Sequence, residues 1–176
     1  MKKIPSIPQA GMLLASLRSV GYTEEAAIAD ITDNSIAAGA SEIHITFDWD
    51  NKIISIIDNG QGMAQDELYK NMQIGSANPN MARSEHDLGR FGIGMKTAAF
   101  SLGKKVTVVT SKDGYISNAA WDLNQVDDIG WNLLVSDDKK YDSFLQGLEK
   151  HGTAVIISTL DKIIDDTDPI KSKKYF

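Results

Sequence analysis

The chain has 176 residues and no cysteine, so disulfide bonds and thiolate metal sites are excluded. Its three histidines, His44, His86 and His151, are scattered over a strand-like run, a polar loop and a turn, and we expect no metal cluster from them. No apolar run approaches the roughly 18 residues of a membrane-spanning helix, and no charged-then-apolar leader opens the chain. These absences predict a soluble, cytoplasmic protein that does not bind membranes.

Positive charge is also in short supply. The chain has 18 Lys and Arg against 24 Asp and Glu, a formal net charge of -6, which argues against nonspecific binding of DNA or RNA. Its hydrophobic content of 42% is enough for one proper core. We therefore expect one domain over residues 1–160. Residues 161–176 are charged and lose periodicity, which predicts a tail or a linker to a further domain.

Hydrophobic periodicity predicts helices packed on a sheet. Apolar residues recur at threes and fours over residues 24–38, where Thr23 can cap a helix and Gly39 can end it. Alternation over residues 42–48 and the isoleucine-rich run 52–57 flank a turn, which indicates a hairpin. Further helices are predicted over residues 9–20, 64–72, 95–102 and 139–150, and further strands over residues 105–111, 115–122, 131–135 and 153–160. The predicted fold class is an α/β two-layer sandwich, with helices on one face of a mixed, mostly antiparallel sheet.

The segment G-R-F-G-I-G-M-K-T at residues 89–97 combines a glycine-rich loop with the start of a helix. Glycine lets a backbone approach a ligand closely, and a helix start presents unpaired N–H groups and the positive end of the helix dipole. Such a loop favours an anion, and phosphate fits best. A Walker loop is excluded, because Met95 occupies its lysine position and Lys96 comes one residue late. A flexible linker is the alternative, but linkers seldom run straight into an apolar helix.

The segment D-I-T-D-N at residues 30–34 places Asp30 and Asn34 on the same face of a helix, one turn apart. A carboxylate there can polarise a water molecule, and an amide oxygen can ligate a hard cation such as magnesium. The alternative is a plain solvated helix face. Against that alternative, the flanking residues are small and apolar, and asparagine is a poor helix former.

The segment D-N-G-Q-G-M at residues 58–63 follows a predicted strand. A D-N-G turn is also typical of a hairpin, but residues 61–70 have helical spacing and offer no returning strand. Asp58 can accept a hydrogen bond from an exocyclic amine, which selects adenine over guanine, while the glycines bring backbone against a flat ring. Together the three segments predict an ATP pocket.

These three segments, in this order and context, resemble the N, G1 and G2 boxes of the GHKL ATPase superfamily. That superfamily includes gyrase B, the ninety-kilodalton heat-shock chaperones, histidine kinases and MutL. The resemblance covers about residues 24–111 and is strongest to the MORC and MutL branch. It implies a Bergerat fold that binds ATP with magnesium under a mobile lid, here residues 75–90.

The resemblance also implies roles for individual residues. Asp30 would be the general base, Asn34 the magnesium ligand, and Asp58 the contact to the adenine amino group. Thr153, in the H-G-T element before the last strand, would reach the region of Asp58 and the adenine. Two sets complete the site: Gly60, Gly62 and Met63 beside the base, and Gly89, Gly92, Gly94, Met95 and Lys96 around the phosphates. The two methionines would suit a hydrophobic core equally well.

The chain departs from the superfamily pattern at two positions. Asp30 stands where relatives usually carry glutamate, and it is shorter by one methylene, about 1.5 Å of reach. Misplacement of about 1 Å can cost about a hundredfold in rate. Ala37 stands where MORC and MutL relatives usually carry aspartate. The relatives also use a lysine from a following domain, so we expect ATP binding to survive and hydrolysis to be slow.

The sequence therefore predicts a slow ATPase whose lid closure and nucleotide-dependent homodimerisation act on a DNA or protein client through regions outside this chain. One alternative is a nucleotide-binding module without useful turnover. Another is the ATP-binding half of a histidine kinase, which is disfavoured because no phosphoacceptor histidine lies on a preceding helix.

Overall fold

The part of the chain that the structure describes folds into a sheet of five strands. The computed structural model describes residues 3–19, 21–75, 93–137, 139–146 and 150–163. The strand order is β1-β2-β5-β3-β4, and each neighbouring pair is antiparallel. The strands are β1 (Ile43–Asp48), β2 (Ile53–Asp58), β3 (Lys105–Lys112), β4 (Tyr115–Asp122) and β5 (Gly152–Ser158).

The helices lie mainly on one face of this sheet. They are α1 (Ala10–Leu17), α2 (Glu24–Ala37), α3 (Gln65–Met72), α4 (Gly94–Leu102), α5 (Val126–Ile129) and a 3₁₀ helix (Lys139–Leu145). Helix α2 begins as predicted, because the Thr23 hydroxyl accepts a hydrogen bond from the Ala26 N–H at 3.3 Å. Gly39, just beyond α2, has a φ of 73°, which glycine adopts readily.

Strand alternation divides the apolar residues between two clusters. Ile54 and Ile56 of β2 join the main core under the helices, where Leu14, Ile31 and Phe100 are fully buried. The opposite sheet face carries a smaller cluster beneath the 3₁₀ helix, made of Val109, Leu145, Ala154 and Ile156. The predicted α/β two-layer class is confirmed, and the 3₁₀ helix adds partial cover on the second face.

Two predicted elements differ from the structure. Residues 131–135 form only an isolated bridge, between Leu134 and Ala120, instead of a strand. Beyond this bridge, the Asn118 side chain takes the place of backbone pairing between the two segments. Its amide donates to the Ser136 carbonyl at 2.7 Å and accepts from the Ser136 N–H at 3.1 Å. The helix predicted over residues 139–150 is the 3₁₀ helix, whose Tyr141 and Phe144, three apart, pack on the same cluster, as that geometry requires.

Within the described ranges, no helix is long and apolar enough to cross a membrane. Residues 164–176 of the predicted tail lie outside those ranges.

Candidate functional site

Helix α2 is the element that brings the three sequence motifs together. Ser35, one residue after the D-I-T-D-N segment, donates a hydrogen bond to Asp58 of the second motif, with 2.8 Å between Oγ and Oδ2. At the other end of the segment, a Cβ built on Gly94 of α4 would lie 3.7 Å from Asp30 Oδ2. The first turn of α4, which carries the third motif, therefore lies beside Asp30. One helix contacts both other motifs.

Asp58 is a buried carboxylate at the end of β2, with an exposed fraction of 4%. It shares the helix-facing side of the strand with Ile54 and Ile56, because side chains of alternate strand residues point the same way. Its two oxygens accept hydrogen bonds from the Ser35 hydroxyl and from the Gly60 N–H, the latter at 2.9 Å. A carboxylate has about four lone-pair positions, so Asp58 can accept a further donor from a ligand.

Thr153 lies next to Asp58 because the two residues are paired between β5 and β2. On its other side Thr153 is paired with Thr110 of β3, and the two hydroxyl oxygens are 3.2 Å apart. The Thr110 hydroxyl accepts a hydrogen bond from the Met63 N–H at 2.9 Å and donates one to the Gly152 carbonyl at 3.0 Å. This row of side chains anchors the D-N-G-Q-G-M turn to the sheet.

The two glycines of that turn are required for different reasons. Gly62 has a φ of 62°, and a Cβ there would lie 1.9 Å from the Ser111 carbonyl oxygen. At Gly60, a Cβ would lie 2.9 Å from Asp58 Oδ1 and 3.0 Å from the Ala38 carbonyl oxygen. Both positions therefore bring backbone closer to its surroundings than a residue with a side chain allows.

Asp30 and Asn34 both point from the same side of α2, as predicted, and each has a partner. The Tyr22 hydroxyl donates a hydrogen bond to Asp30 Oδ2, with 2.5 Å between the oxygens. This bond to the carboxylate, together with partial burial and the nearby negative charge, raises the pKa of Tyr22 to about 12. Asn34 is exposed, and its Nδ2 donates to the Asp30 carbonyl at 2.7 Å. Asp33 is exposed.

The start of α4 presents backbone donors. Its first intrahelical bond runs from the Thr97 N–H to the Ile93 carbonyl at 2.8 Å, so the N–H groups of Gly94, Met95 and Lys96 have no partner inside the helix. Among the described residues, the buried Thr97 hydroxyl has no hydrogen-bond partner either. Such donors at a helix start suit an anion.

The Lys96 side chain points away from that helix start and into the protein. Only 2% of the residue is exposed, and its ammonium group donates to the carbonyl of Asn71 in the last turn of α3. Burial lowers the pKa of Lys96 from 10.5 to about 8. A phosphate contact by Lys96 requires this side chain to leave α3, and it stays a prediction.

The remaining predicted residues fall into two groups. Met63 and Met95 are partly buried and pack against the main core, as the alternative for them anticipated. Gly89, Gly92 and all but the first residue of the predicted lid lie outside the residues that the structure describes.

Three residues of the site were missed in the sequence. Ser35 and Thr110 support Asp58 and the turn, and Tyr22 binds Asp30. A signal existed for Ser35, because it lies on the apolar face of α2, four residues after Ile31. Nothing in the local sequence indicates Tyr22 or Thr110, since their partners are decided by tertiary packing.

A magnesium ion at this site depends on the oxygen ligands that the described residues present. Across the described ranges, no group of three or more histidine, aspartate or glutamate side chains could hold a metal ion by itself. Magnesium, however, commonly takes only one or two protein oxygens and completes its shell with phosphate oxygens and water. Asn34 fits that requirement, because its amide nitrogen is engaged by the helix backbone and its side chain is exposed, which leaves the amide oxygen for a cation.

Comparisons with known proteins agree with the three-motif resemblance. ATPase morc-1 of Caenorhabditis elegans is 34% identical over 116 residues, which cover 63% of this chain and 13% of that protein. The chaperone protein HtpG of Hydrogenovibrio crunogenus is 32% identical over 96 residues, 48% of this chain and 15% of the chaperone. HtpG of Bacillus licheniformis is 26% identical over 159 residues, 76% of this chain and 25% of that HtpG. The chain thus matches a quarter or less of the length of each relative.

The sequence pattern of one family spans most of the chain. The family described as histidine kinase-, DNA gyrase B- and HSP90-like ATPases matches residues 22–153, which include all three motifs and Thr153. Because this match covers well over half of the chain, the protein belongs to the histidine kinase-, DNA gyrase B- and HSP90-like ATPase family, the GHKL superfamily.

Proposed function

We propose that this chain binds ATP with magnesium where α2, the D-N-G-Q-G-M turn and the start of α4 meet, and that it hydrolyses ATP slowly. The observation that carries the proposal is the buried Asp58 carboxylate. It accepts hydrogen bonds from the Ser35 hydroxyl and the Gly60 N–H, and it lies beside the turn whose glycine backbone closely approaches its surroundings. A carboxylate buried at that depth is costly unless its lone pairs are used. An adenine amino group is a donor that uses a remaining one.

Base selection follows from the chemistry of Asp58. The exocyclic amine of adenine can donate to the carboxylate, whereas guanine presents a carbonyl acceptor at the corresponding position. Thr153 lies beside Asp58 in the sheet and supplies a further hydroxyl in the same region. Gly60, Gly62 and Met63 form the turn against which the base would lie.

The phosphates are assigned to the start of α4 and the loop before it. The N–H groups of Gly94, Met95 and Lys96 and the positive end of the helix dipole favour negative charge there. Gly89 and Gly92 belong to the loop in this proposal, and Lys96 joins it only after leaving Asn71. Asn34 would hold magnesium, which would neutralise phosphate charge.

Asp30 is the proposed general base for hydrolysis. Its carboxylate lies next to the start of α4, where the terminal phosphate is expected, so a water molecule between them can lose a proton to Asp30. The short aspartate side chain places that carboxylate about 1.5 Å further from the water than glutamate would, which is why turnover is expected to be slow.

The similar proteins are much longer than the region that they share with this chain. ATPase morc-1 and the HtpG chaperones extend far beyond the matched region, and we propose that lid closure and homodimerisation driven by ATP act on a DNA or protein client through such further regions. A binding module without useful turnover is the second candidate, which Asp30 in place of glutamate favours. The histidine-kinase half is the least favoured.

The test is isothermal titration calorimetry of the chain with ATP and magnesium. Wild-type protein should bind ATP and bind GTP far more weakly, and Asp58→Asn should lose at least tenfold in ATP affinity because an amide repels one donor where the carboxylate accepts it. Asp48→Asn, at the far end of the same hairpin, is the matched control and should bind ATP as wild type does. Equal affinities for ATP and GTP, or normal ATP binding by Asp58→Asn, would contradict the assignment.

A further inference from the structure

Tyr22 precedes α2 in sequence, and its side chain extends along the helix to Asp30 in the second turn. Tyr22 precedes the capping residue Thr23, and its ring is partly buried against the main core. Its hydroxyl is 2.5 Å from Asp30 Oδ2, eight residues along the chain. Hydrogen bonds to an ionised oxygen acceptor are short and roughly twice as strong as neutral ones, and an O–H to carboxylate distance of this length is typical of them.

We propose that Tyr22 is a positioning residue for ATP hydrolysis, which holds the Asp30 carboxylate beside the start of α4, where it receives the proton of the attacking water. This inference rests on the proposed function, in which Asp30 is the general base. Tyr22 itself contacts neither ATP nor the water.

Tyr22 and the start of α4 meet at the same oxygen of Asp30. Oδ2 accepts the Tyr22 hydrogen bond, and it is also the oxygen that would lie 3.7 Å from a Cβ built on Gly94. In the hydrolytic step the water oxygen forms a bond to the terminal phosphorus, the bond from that phosphorus to the bridging oxygen breaks to leave ADP, and the water proton passes to the Asp30 carboxylate. Because Tyr22 holds Oδ2, the carboxylate stays beside the start of α4 instead of rotating away from it.

Two features make a tyrosine suitable for this task. The ring is held by core packing, so the hydroxyl is a rigid donor whose position does not depend on solvent. The phenol also keeps its proton at ordinary pH, since the neighbouring carboxylate raises its pKa to about 12. Asp30 reaches less far than a glutamate would. Rotation of its carboxylate would therefore slow hydrolysis strongly, because misplacement on the scale of 1 Å costs about a hundredfold in rate.

The experiment is single-turnover ATP hydrolysis and calorimetry of the full chain with Tyr22→Phe, which removes the hydroxyl and keeps the ring. Tyr22→Phe should bind ATP within about twofold of wild type and hydrolyse it about tenfold to a hundredfold more slowly. Tyr69→Phe, a partly buried tyrosine of α3 packed on the same core, is the control and should hydrolyse ATP at the wild-type rate. In an Asp30→Glu background, which retains hydrolysis but whose longer side chain carries the carboxylate away from the Tyr22 hydroxyl, Tyr22→Phe should cause a smaller loss.

The remaining outcomes overturn the proposal in distinguishable ways. A wild-type rate in Tyr22→Phe, or an equal loss with Asp30 and with Glu at position 30, would mean that Tyr22 does not act through Asp30. Wild-type protein that binds ATP without hydrolysing it overturns the positioning role and leaves the ATP site standing. Wild-type protein that binds no ATP overturns the site, and the role of Tyr22 with it.

Discussion

Ser35 donates a hydrogen bond to Asp58 across 23 positions of sequence, and this bond joins α2 to the end of β2. Both residues are buried, with exposed fractions of 3% and 4%. Asn34, the proposed magnesium ligand, is the neighbour of Ser35, so the same helical turn carries the cation ligand and the support for base recognition. The two halves of the proposed ATP site are therefore mechanically connected through one hydroxyl.

Ser35→Ala tests that connection. Removing the hydroxyl leaves a buried carboxylate with one donor fewer, which should lower the free energy of unfolding by about 1–3 kcal/mol and weaken ATP binding. Chemical denaturation and calorimetry measure the two effects. Ser101→Ala is the matched control, because among the described residues the partner of the Ser101 hydroxyl is the Ala98 carbonyl of its own helix. A loss no larger in Ser35→Ala than in Ser101→Ala would show that the Ser35 bond adds nothing.

Gly62→Ala tests the close approach of the D-N-G-Q-G-M turn to β3. Gly62 and Gly114 both have positive φ, 62° and 82°, so alanine strains the backbone at each. Only at Gly62 would the new Cβ meet another group, the Ser111 carbonyl oxygen at 1.9 Å, whereas nothing lies within 4 Å at Gly114. We expect Gly62→Ala to be less stable than Gly114→Ala by about 1–3 kcal/mol in chemical denaturation. Equal losses would show that the turn can move away from β3.

The stability contributed by Lys96 should depend on pH. Its pKa is lowered from 10.5 to about 8 on folding, so below pH 8 the folded state carries an ammonium group that burial disfavours. As pH rises from 8 to 10.5 the folded state loses this proton before the unfolded chain does, and stability increases. Lys96→Met has no group that titrates at this position. Its free energy of unfolding relative to that of wild type should therefore fall by about 3 kcal/mol between pH 8 and pH 10.5.

Denaturation curves of wild type and Lys96→Met at several pH values between 7 and 10.5 measure this difference. The variant also loses the bond to the Asn71 carbonyl, which lowers its stability by about 1 kcal/mol at every pH. Lys70→Met, on the exposed surface of α3, is the control. A difference between Lys96→Met and wild type that stays constant with pH would contradict the lowered pKa.

Asp30 can be tested for reach and charge separately. Asp30→Glu should raise the single-turnover hydrolysis rate by about tenfold or more, because the carboxylate gains about 1.5 Å toward the water. Asp30→Asn should stop hydrolysis while ATP stays bound, since an amide cannot take the proton. If Asp30→Asn hydrolyses ATP as fast as wild type does, Asp30 is not the base, and the chain is a nucleotide-binding module.

Local sequence was sufficient to predict the positions of side chains wherever the helical or strand period decides them. The helical period places Asp30 and Asn34 on one side of α2, and strand alternation places Asp58 on the same sheet face as Ile54 and Ile56. Local sequence was insufficient to predict the structure of residues 131–135. Their backbone pairing with β4 ends where the Asn118 side chain, instead of a backbone group, binds Ser136. A competition between side-chain and backbone partners leaves no mark on hydrophobic periodicity.

The sequence by itself determined the family, the two-layer class and the order of the three motifs, because these follow from short-range patterns of glycine, charge and apolar spacing. The tertiary structure alone decided which side chains serve those motifs. Tyr22 binds Asp30, Ser35 binds Asp58, and Lys96 binds the end of α3 instead of facing the helix start. Each partner is chosen by the packing of separate elements, and a hydrogen bond of about 3 Å depends on distances that no local pattern encodes.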